Sequence, residues 1–452
     1  MKVIIVGTGA VGSAICAQLA RERHNITVID KNADELEKVC SAYDITGLAG
    51  NGADISLLKE AGANDADILI AVTNSDEFNM LCCYAAKKIG AKHTIARVRN
   101  PEYNDFLTLT GVELGLTLTI NPEYEVASRI YRILRNPSAT KLDSFYGGRV
   151  ELAEFTVEEK AHICNLSLHD IRKKSTHKFI VCSVRRGTDV YIPGGDFIIR
   201  EGDSLCVAIS ENDLASFFKE IGMFKKPARK IILTGGGRTS HYLGELLKKS
   251  RIKTEITAIE SDKSLCEDIA KDFSWTVING DPSNQDLLIE EGIDGADAFL
   301  ALSAQDEENA IASMFAKTRA VPKIITLVTS LTYIDFFKHM GIESIVSPKH
   351  ATVEQIMRFV RSLAASRDSE IESLHRIMDS ETEALEFIIK EDISGITGIP
   401  IKDIKRKSNT IIASIIHDGE VIIPSGLDVI NPGDTVIVIA GGKKLNSIKD
   451  II

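Results

Sequence analysis

The chain has 452 residues, 44% of them hydrophobic and 26% charged, the balance of a soluble globular protein of about three or four domains. A net charge of −11 disfavours nonspecific nucleic-acid binding, so no nucleic-acid partner is expected. There is no run of about 18 apolar residues to span a membrane, and the N-terminus carries one Lys before a strand pattern, unlike a signal peptide. Eight cysteines (Cys16, Cys40, Cys82, Cys83, Cys164, Cys182, Cys206 and Cys266) lie mostly in apolar runs, without zinc spacing. They predict reduced thiols in a cytoplasm and no metal site.

The first apolar run, residues 3–6, ends in Gly7-Thr8-Gly9-Ala10-Val11-Gly12, a Gly-x-Gly-x-x-Gly. About 20 residues on, a second run closes on Asp30. This is the order a dinucleotide-binding βαβ unit needs. Gly7 makes the tight turn and Gly9 lets backbone N–H groups approach a pyrophosphate. Gly12 lets the following helix lie close to the sheet, and an acid accepts from ribose hydroxyls. Further strand patterns fall at residues 45–49, 68–72, 94–98 and 116–120, with helical patterns between them, such as 77–88. The alternation predicts a doubly wound parallel sheet covered by helices on both faces. Asp54 is placed to cap one helix, and Asp76 another after the polar loop Thr73-Asn74-Ser75. That loop ends the fourth strand, so it would flank a ligand held at the carboxyl edge of the sheet.

A helix over residues 123–135 is expected to connect onward, through Asn136-Pro137 and a polar stretch to Gly148. Short strands at 152–157, 179–185, 190–192 and 205–209 follow, separated by turn signals, and predict a small α+β module. Residues 222–227 read as a linker.

Then the chain repeats itself. Lys230-Ile231-Ile232-Leu233-Thr234-Gly235-Gly236-Gly237 restates residues 2–9 at an offset of 228, and the run ending at Glu260 restates the one ending at Asp30. Asn279-Gly280 restates Asn51-Gly52; Glu386-Phe387, Ile423-Pro424 and Gly433-Asp434 restate Glu154-Phe155, Ile192-Pro193 and Gly202-Asp203. The plan is a tandem duplication, A-B-A′-B′. Its expected domains are nucleotide-binding at 1–136 and 228–364 and small modules at 137–224 and 365–452. A dehydrogenase would pair a nucleotide domain with one bringing a catalytic group. Here the small modules offer only scattered histidines, His162, His169 and His177, whose second-copy counterparts are not histidines. No Ser/His/Asp order, Walker lysine motif or HExxH helix is present, so no enzyme activity is expected.

The opening Met1-Lys2-Val3-Ile4-Ile5-Val6-Gly7-Thr8-Gly9-Ala10-Val11-Gly12 resembles the start of the TrkA family, cytosolic regulatory subunits of Trk-type potassium uptake. Gly50-Asn51-Gly52, Ala66-Asp67, Val72-Thr73-Asn74-Ser75-Asp76-Glu77, Asn79 and Ala96-Arg97-Val98-Arg99-Asn100-Pro101-Glu102-Tyr103 extend the likeness. The doubled plan is similar to the full-length form, with two RCK units in one polypeptide. The resemblance implies a homo-oligomer, a dimer or tetrameric ring, peripheral on the cytoplasmic face of the cell membrane. It also implies a potassium channel-like membrane subunit as partner, gated when NAD(H), ATP or ADP binds the A-type domains. An NAD-dependent oxidoreductase is the alternative.

For the first half the expected ligand residues are Gly7, Thr8, Gly9, Ala10, Val11 and Gly12 at the phosphates and Asp30 at the ribose, where it would repel a 2′-phosphate. Asn51 and Asp54 follow the third strand, Thr73 and Asn74 the fourth, and Arg97 ends the fifth; Asn51 also reads as a plain Asn-Gly turn, and Thr73 and Asn74 as helix capping. Arg97 and Arg99 read as phosphate or inter-subunit contacts or as surface ion pairs; Leu327 and Thr329 replace them in the second half, so phosphate-rich ligands should prefer the first. The second half keeps Gly235, Gly237 and Glu260 but has Ser240 in place of the third glycine. Its Cβ should hold the helix further from the sheet and give a weaker or altered nucleotide site.

Overall fold

A computed structural model of the protein describes residues 1–145, 149–250, 253–342, 344–368, 371–377, 382–407, 409–442, 445 and 447–452. The first half alternates β1 (Lys2–Val6), α1 (Ala10–Arg21), β2 (Asn25–Asp30), α2 (Ala33–Tyr43), β3 (Thr46–Ala49), α3 (Ile55–Glu60), β4 (Ile68–Ala71), α4 (Asp76–Ile89), β5 (His93–Arg97), α5 (Tyr103–Thr110) and β6 (Leu118–Ile120), before α6 (Pro122–Arg135). All strand pairs are parallel, in the order β3-β2-β1-β4-β5-β6. Every residue of β4 is buried, which is why its sequence is a continuous apolar run rather than an alternation. The strand order reverses between β1 and β4, the point at which open parallel sheets hold their ligands beyond the carboxyl ends of the strands.

The small module comprises β7 (Lys141–Phe145), β8 (Val150–Thr156), α7 (Leu168–Lys174), β9 (Phe179–Arg186), β10 (Asp189–Tyr191), β11 (Ser204–Ser210) and α8 (Leu214–Glu220). Its sheet is antiparallel, β10-β9-β11-β8-β7. Strand β7 corrects the expectation of a polar connector. Its apolar residues Leu142 and Phe145 are buried, but so is Asp143, paired with Lys141 Nζ at 2.9 Å, and that acid breaks the strand pattern. Residues 146–148 of the expected connector, Gly148 among them, lie outside the described residues.

The second half repeats the plan. Its parallel sheet holds β12 (Lys230–Thr234), β13 (Glu255–Glu260), β14 (Thr276–Asn279), β15 (Ala298–Ala301), β16 (Ile324–Leu327) and β17 (Ser344–Val346), in the order β14-β13-β12-β15-β16-β17. Its helices are α9 (Arg238–Lys248), α10 (Lys263–Asp272), α11 (Gln285–Glu290), α12 (Asp306–Thr318), α13 (Ile334–His339) and α14 (Pro348–Asp368). The last sheet, β18 (Ile371–Ile377), β19 (Thr382–Ile388), β20 (Thr410–His417), β21 (Glu420–Ile422) and β22 (Thr435–Gly441), is ordered β18-β19-β22-β20-β21 and reproduces the first module's topology.

Although the copies alternate along the chain, like packs with like. One compact unit is residues 1–131 with 228–357, the two parallel-sheet domains; the other is 132–227 with 358–452, the two small modules. In the first unit Arg129 Nη2 on α6 donates to Glu354 Oε2 on α14 at 2.6 Å, and the Tyr124 and Tyr242 rings meet edge-on at 5.6 Å. In the second unit one core joins both modules: Phe145, Leu152, Ile180, Cys182 and Cys206 pack with Ile416, Ile437 and Ile439. Each module has a further core of its own. Strand β9 therefore has apolar surroundings on both faces, and its first six residues are all buried. Each large side chain so buried contributes about 1.5–3 kcal/mol of transfer free energy, so neither module presents a finished surface without the other. Among the described residues no helix is long and apolar enough to cross a membrane, and all eight cysteines are free.

Candidate nucleotide-binding sites

The first loop is built by glycine geometry. Gly7 has φ +106°, a region that favours glycine, and its N–H donates to Ile29 O at 2.9 Å, tying the turn to β2. A Cβ on Gly12 would sit 1.9 Å from Gly7 O, so α1 approaches the loop as closely as a backbone without a side chain permits. A Cβ on Gly9 would meet nothing within 4 Å; the space beside that residue is open. Gly9 is the N-cap of α1 and supplies no side-chain cap, and no acid lies in the first turn, so the N–H groups of Ala10, Val11 and Gly12 face outward with the positive end of the helix dipole.

Asp30, at the end of β2, closes over this turn. Its Oδ2 accepts from Thr8 N at 2.6 Å and Thr8 Oγ1 at 2.8 Å, and its Oδ1 accepts from Asn32 N at 2.9 Å. Burial alone would push the carboxyl up, but these donors outweigh it and hold Asp30 below the usual carboxylate range. Asp30 is thus ionised and pre-aligned beside Thr8, with acceptor capacity left for ribose hydroxyls.

The other expected residues divide. Asn51 Oδ1 accepts from Ala53 N at 3.1 Å, and Asp54 caps α3 by accepting from Ser56 N and Leu57 N, so both are occupied by local turns. Thr73 and Asn74 belong to a network centred on Asn79. Asn79 Oδ1 accepts from Thr73 N and Oγ1, and its Nδ2 donates to Thr73 O and to Arg97 O at 2.9 Å. Arg97 ends β5, is 8% exposed, and donates through Nη2 to Thr73 O at 2.6 Å and Asn74 Oδ1 at 3.3 Å. Arg99 Nη2 donates to Asn74 O at 3.0 Å. The fourth- and fifth-strand loops are therefore one unit, with two guanidinium groups wrapped on it. Burial, and then the neighbouring Arg99, lower the Arg97 pKa.

The cap of α4 is Ser75, whose side chain accepts from Phe78 N, not Asp76 as the sequence suggested. Asp76 instead reaches across, its Oδ2 accepting from Arg99 N at 2.8 Å and Asn100 N at 2.9 Å. Asn79 enters the sequence likeness without a role; its spacing from Thr73 appears again between Asn309 and Ser303, and that repeat was the available signal of one.

The second half keeps this frame and changes its charge. Gly235 has φ +95°, its N–H donates to Ile259 O at 2.9 Å, and a Cβ there would meet Ser303 N at 2.5 Å. Gly237, like Gly9, has open space beside it. Glu260, buried and one methylene longer than Asp30, accepts from Gly236 N at 2.5 Å and Asp262 N at 2.8 Å. Ser240 is wholly buried and its Oγ donates to Gly235 O at 2.6 Å. Where the first loop has no room for a Cβ, the second accommodates a hydroxymethyl group, so α9 stands further from its loop. Asn309 bonds Ser303 and Leu327 O as Asn79 does Thr73 and Arg97 O, and Asp306 accepts from Thr329 N and Ser330 N as Asp76 does from Arg99 N and Asn100 N. Leu327 and Thr329 carry no charge.

Two histidines of the first small module serve the fold: His162 Nδ1 bonds Glu220 O at 2.9 Å, and His177 lies 3.7 Å from Asp213 and 3.9 Å from Glu220. Among the described residues no group of three or more His, Cys, Asp or Glu side chains could hold a metal ion.

The TrkA-N domain model matches residues 3–122 and 231–348, and the TrkA-C domain model matches residues 152–222 and 385–452. The chain belongs to the TrkA family. Relatives are similar over their full length. The Trk system potassium uptake protein TrkA homolog 2 of Methanosarcina mazei is 31% identical, with 100% of both chains covered. The Trk system potassium uptake protein TrkA of Halomonas elongata is 32% identical over 98% of this chain and 96% of its own. Among solved structures, the GsuK channel bound to NAD has the same fold, with a TM-score of 0.64 at 16% identity, over 97% of this chain and 76% of that one. The doubled fold expected from the sequence, two parallel-sheet domains each followed by an α+β module, is thus that of tandem TrkA-N and TrkA-C domains.

Proposed function

We propose that this TrkA-family chain is a nucleotide-sensing regulatory subunit that gates a Trk-type potassium-uptake membrane subunit from its cytoplasmic face, and that it is not an enzyme. The observation that carries this reading is the first glycine loop. Uncapped N–H groups at α1, open space beside Gly9 and an ionised Asp30 aligned on Thr8 form a site for the pyrophosphate and ribose of NAD(H), ATP or ADP. The Trk potassium-uptake relatives and the NAD-bound GsuK channel support the two ends of the reading, partner and ligand. His162 and His177, held in contacts of the fold, favour a sensor over a dehydrogenase. A sensor works by binding its ligand more tightly in one of two states of an assembly, so a homo-oligomeric dimer or ring is the form in which the chain would act.

The test is potassium flux through a co-purified and reconstituted Trk-type membrane subunit, with and without this chain, in NADH, ATP and ADP. The chain should associate and make flux depend on nucleotide, and Asp30→Ala should remove much of that dependence. Failure to associate under every nucleotide condition would overturn the reading. Substrate-dependent nicotinamide turnover by the purified chain would favour the oxidoreductase instead.

A further inference from the structure

The residue that follows Asp30 is held in a contact that neither the glycine loop nor the Asn79 network uses. Asp30 ends β2 and turns its carboxylate to Thr8. Lys31 comes next, and successive side chains along a strand point to opposite faces of the sheet. Its Nζ lies over the ring of Phe78, 5.1 Å from the centroid. Phe78 is the third residue of α4, just past the loop that ends β4, and its N–H donates to the cap, Ser75 Oγ, at 3.1 Å. The ring is half-buried, packed against the apolar core that β1, β4 and α4 share, and Lys31 is exposed.

The contact crosses the sheet where the ligand of the first loop would lie. Strands β2 and β4 flank β1, so Lys31 and Phe78 meet across the carboxyl end of the strand that delivers the glycine loop. A ribose held by Asp30 carries its base directly, and Lys31, adjacent to Asp30 in the chain, joins that position to the Phe78 ring. A flat aromatic ring is what a nucleoside base stacks on. Stacked rings lie with centroids about 4.5–7 Å apart, and at 5.1 Å the ammonium stands in that space. Base and ammonium therefore exclude each other on one face of the ring.

The second copy lacks both partners. Ser261 stands where Lys31 does and donates to Glu260 Oε1 at 3.1 Å. Glu308 stands where Phe78 does and accepts from Ser303 Oγ at 3.1 Å. The cation–ring pair is thus no part of the frame that the two copies share.

We propose that Phe78 is the platform for the base of a nucleotide bound in the first loop and that Lys31 guards it, so that a base enters by lifting the ammonium off the ring. The proposal rests on the nucleotide-site reading above. It adds a reading of the base that phosphate and ribose contacts do not supply. A large flat base offsets the loss of the cation–ring contact by stacking, and a ligand without a base does not. Purine nucleotides are the class so selected, and ATP, ADP and NAD(H) all belong to it. The second half, with a carboxylate in place of the ring, would hold a ligand by its phosphates and ribose.

The experiment is a calorimetric titration of the full chain with ATP in a Glu260→Ala background, which removes the acid of the second loop. About 0.5 M salt screens Lys31 from distant phosphate. Phe78→Leu, which keeps an apolar side chain and removes the ring, should weaken ATP binding about fivefold or more. Phe78→Tyr, which keeps the ring, should bind as the parent does. Lys31→Met, at an exposed residue, should tighten ATP binding about two- to fivefold, the worth of an exposed cation–ring contact. That gain should vanish when combined with Phe78→Leu, the double-mutant test of a shared interaction. Unchanged ATP binding in a Phe78→Leu protein that melts like its parent, or an equal loss in Phe78→Tyr, would overturn the platform. Unchanged or weakened binding in Lys31→Met, or a gain that persists in full with Phe78→Leu, would overturn the guard. Absence of ATP binding to the unmodified chain is a different result and defeats the nucleotide-site reading itself.

Discussion

The two glycine loops are copies of one plan that have parted at the positions where a ligand would feel the difference. Around Gly7 and around Gly235 the turn, the tie to the neighbouring strand and the acid that accepts from the loop are alike. Asn79 and Asn309 make the same bonds to the backbone of their loops. What differs is the close approach of helix to loop, Gly12 against Ser240, and the charge at the end of the fifth strand, Arg97 and Arg99 against Leu327 and Thr329. Backbone geometry has been kept and charge has not. On the proposed reading, the two loops would share a fold and read different ligands, or the same ligand with different strength.

The largest test of this contrast is steric. Gly12→Ala places a methyl group 1.9 Å from Gly7 O, an overlap that only backbone movement can relieve. Overpacking of this kind costs about 1–3 kcal/mol or more. We expect a lowered unfolding midpoint and loss of first-half nucleotide binding. The opposite change in the other copy, Ser240→Gly, removes one buried hydroxyl bond and should cost about 1 kcal/mol in chemical denaturation. Similar costs for the two would mean that the loops are packed alike.

Charge is the next contrast. Arg97→Ala should weaken ATP binding about tenfold or more, the loss of a charge-assisted bond, and should weaken NADH less. Leu327→Arg should strengthen ATP binding to the second half, and it is the sharper arm because it asks whether charge alone separates the copies. Equal ATP affinity in Arg97→Ala and the parent chain, measured by calorimetry, would remove the electrostatic half of the account.

The small modules offer the mildest test. Arg186 clasps Asp203 through Nε and Nη2, both at 2.7 Å, whereas His417 stands opposite Asp434 in the second module, Nδ1 to Oδ1 at 2.5 Å. The hydrogen bond to Asp434, and then the charge of that carboxylate, raise the His417 pKa. A group raised on folding stabilises fully below its unfolded value, about 6.5, and that contribution is lost as pH rises through the raised folded value. The unfolding midpoint should therefore fall as pH rises across this window, and His417→Arg should flatten the trend. An identical pH slope in both proteins would show that the imidazole contributes nothing.

Much of this was legible in the sequence because it follows from what particular residues can do. Gly7 and Gly235 need positive φ, Gly12 needs the absence of a Cβ, and the apolar runs mark buried parallel strands. The repeat at an offset of 228 announced the doubling. Strand β7 stayed hidden because its buried Asp143, paired with Lys141 two residues back on the same strand, breaks the apolar pattern. Asp76 looked like a helix cap because its reach to Arg99 N and Asn100 N crosses between loops 23 and 24 residues apart. The alternating chain order likewise gave no sign that like domains pack with like.

The most direct test of the central claim, that the first loop is the phosphate-reading sensor site, is a calorimetric titration of the full chain with ATP, repeated on Asp30→Ala and Glu260→Ala. The account predicts a tighter class of sites that disappears in Asp30→Ala and survives in Glu260→Ala. A tighter class lost with Glu260 and kept without Asp30 would contradict it.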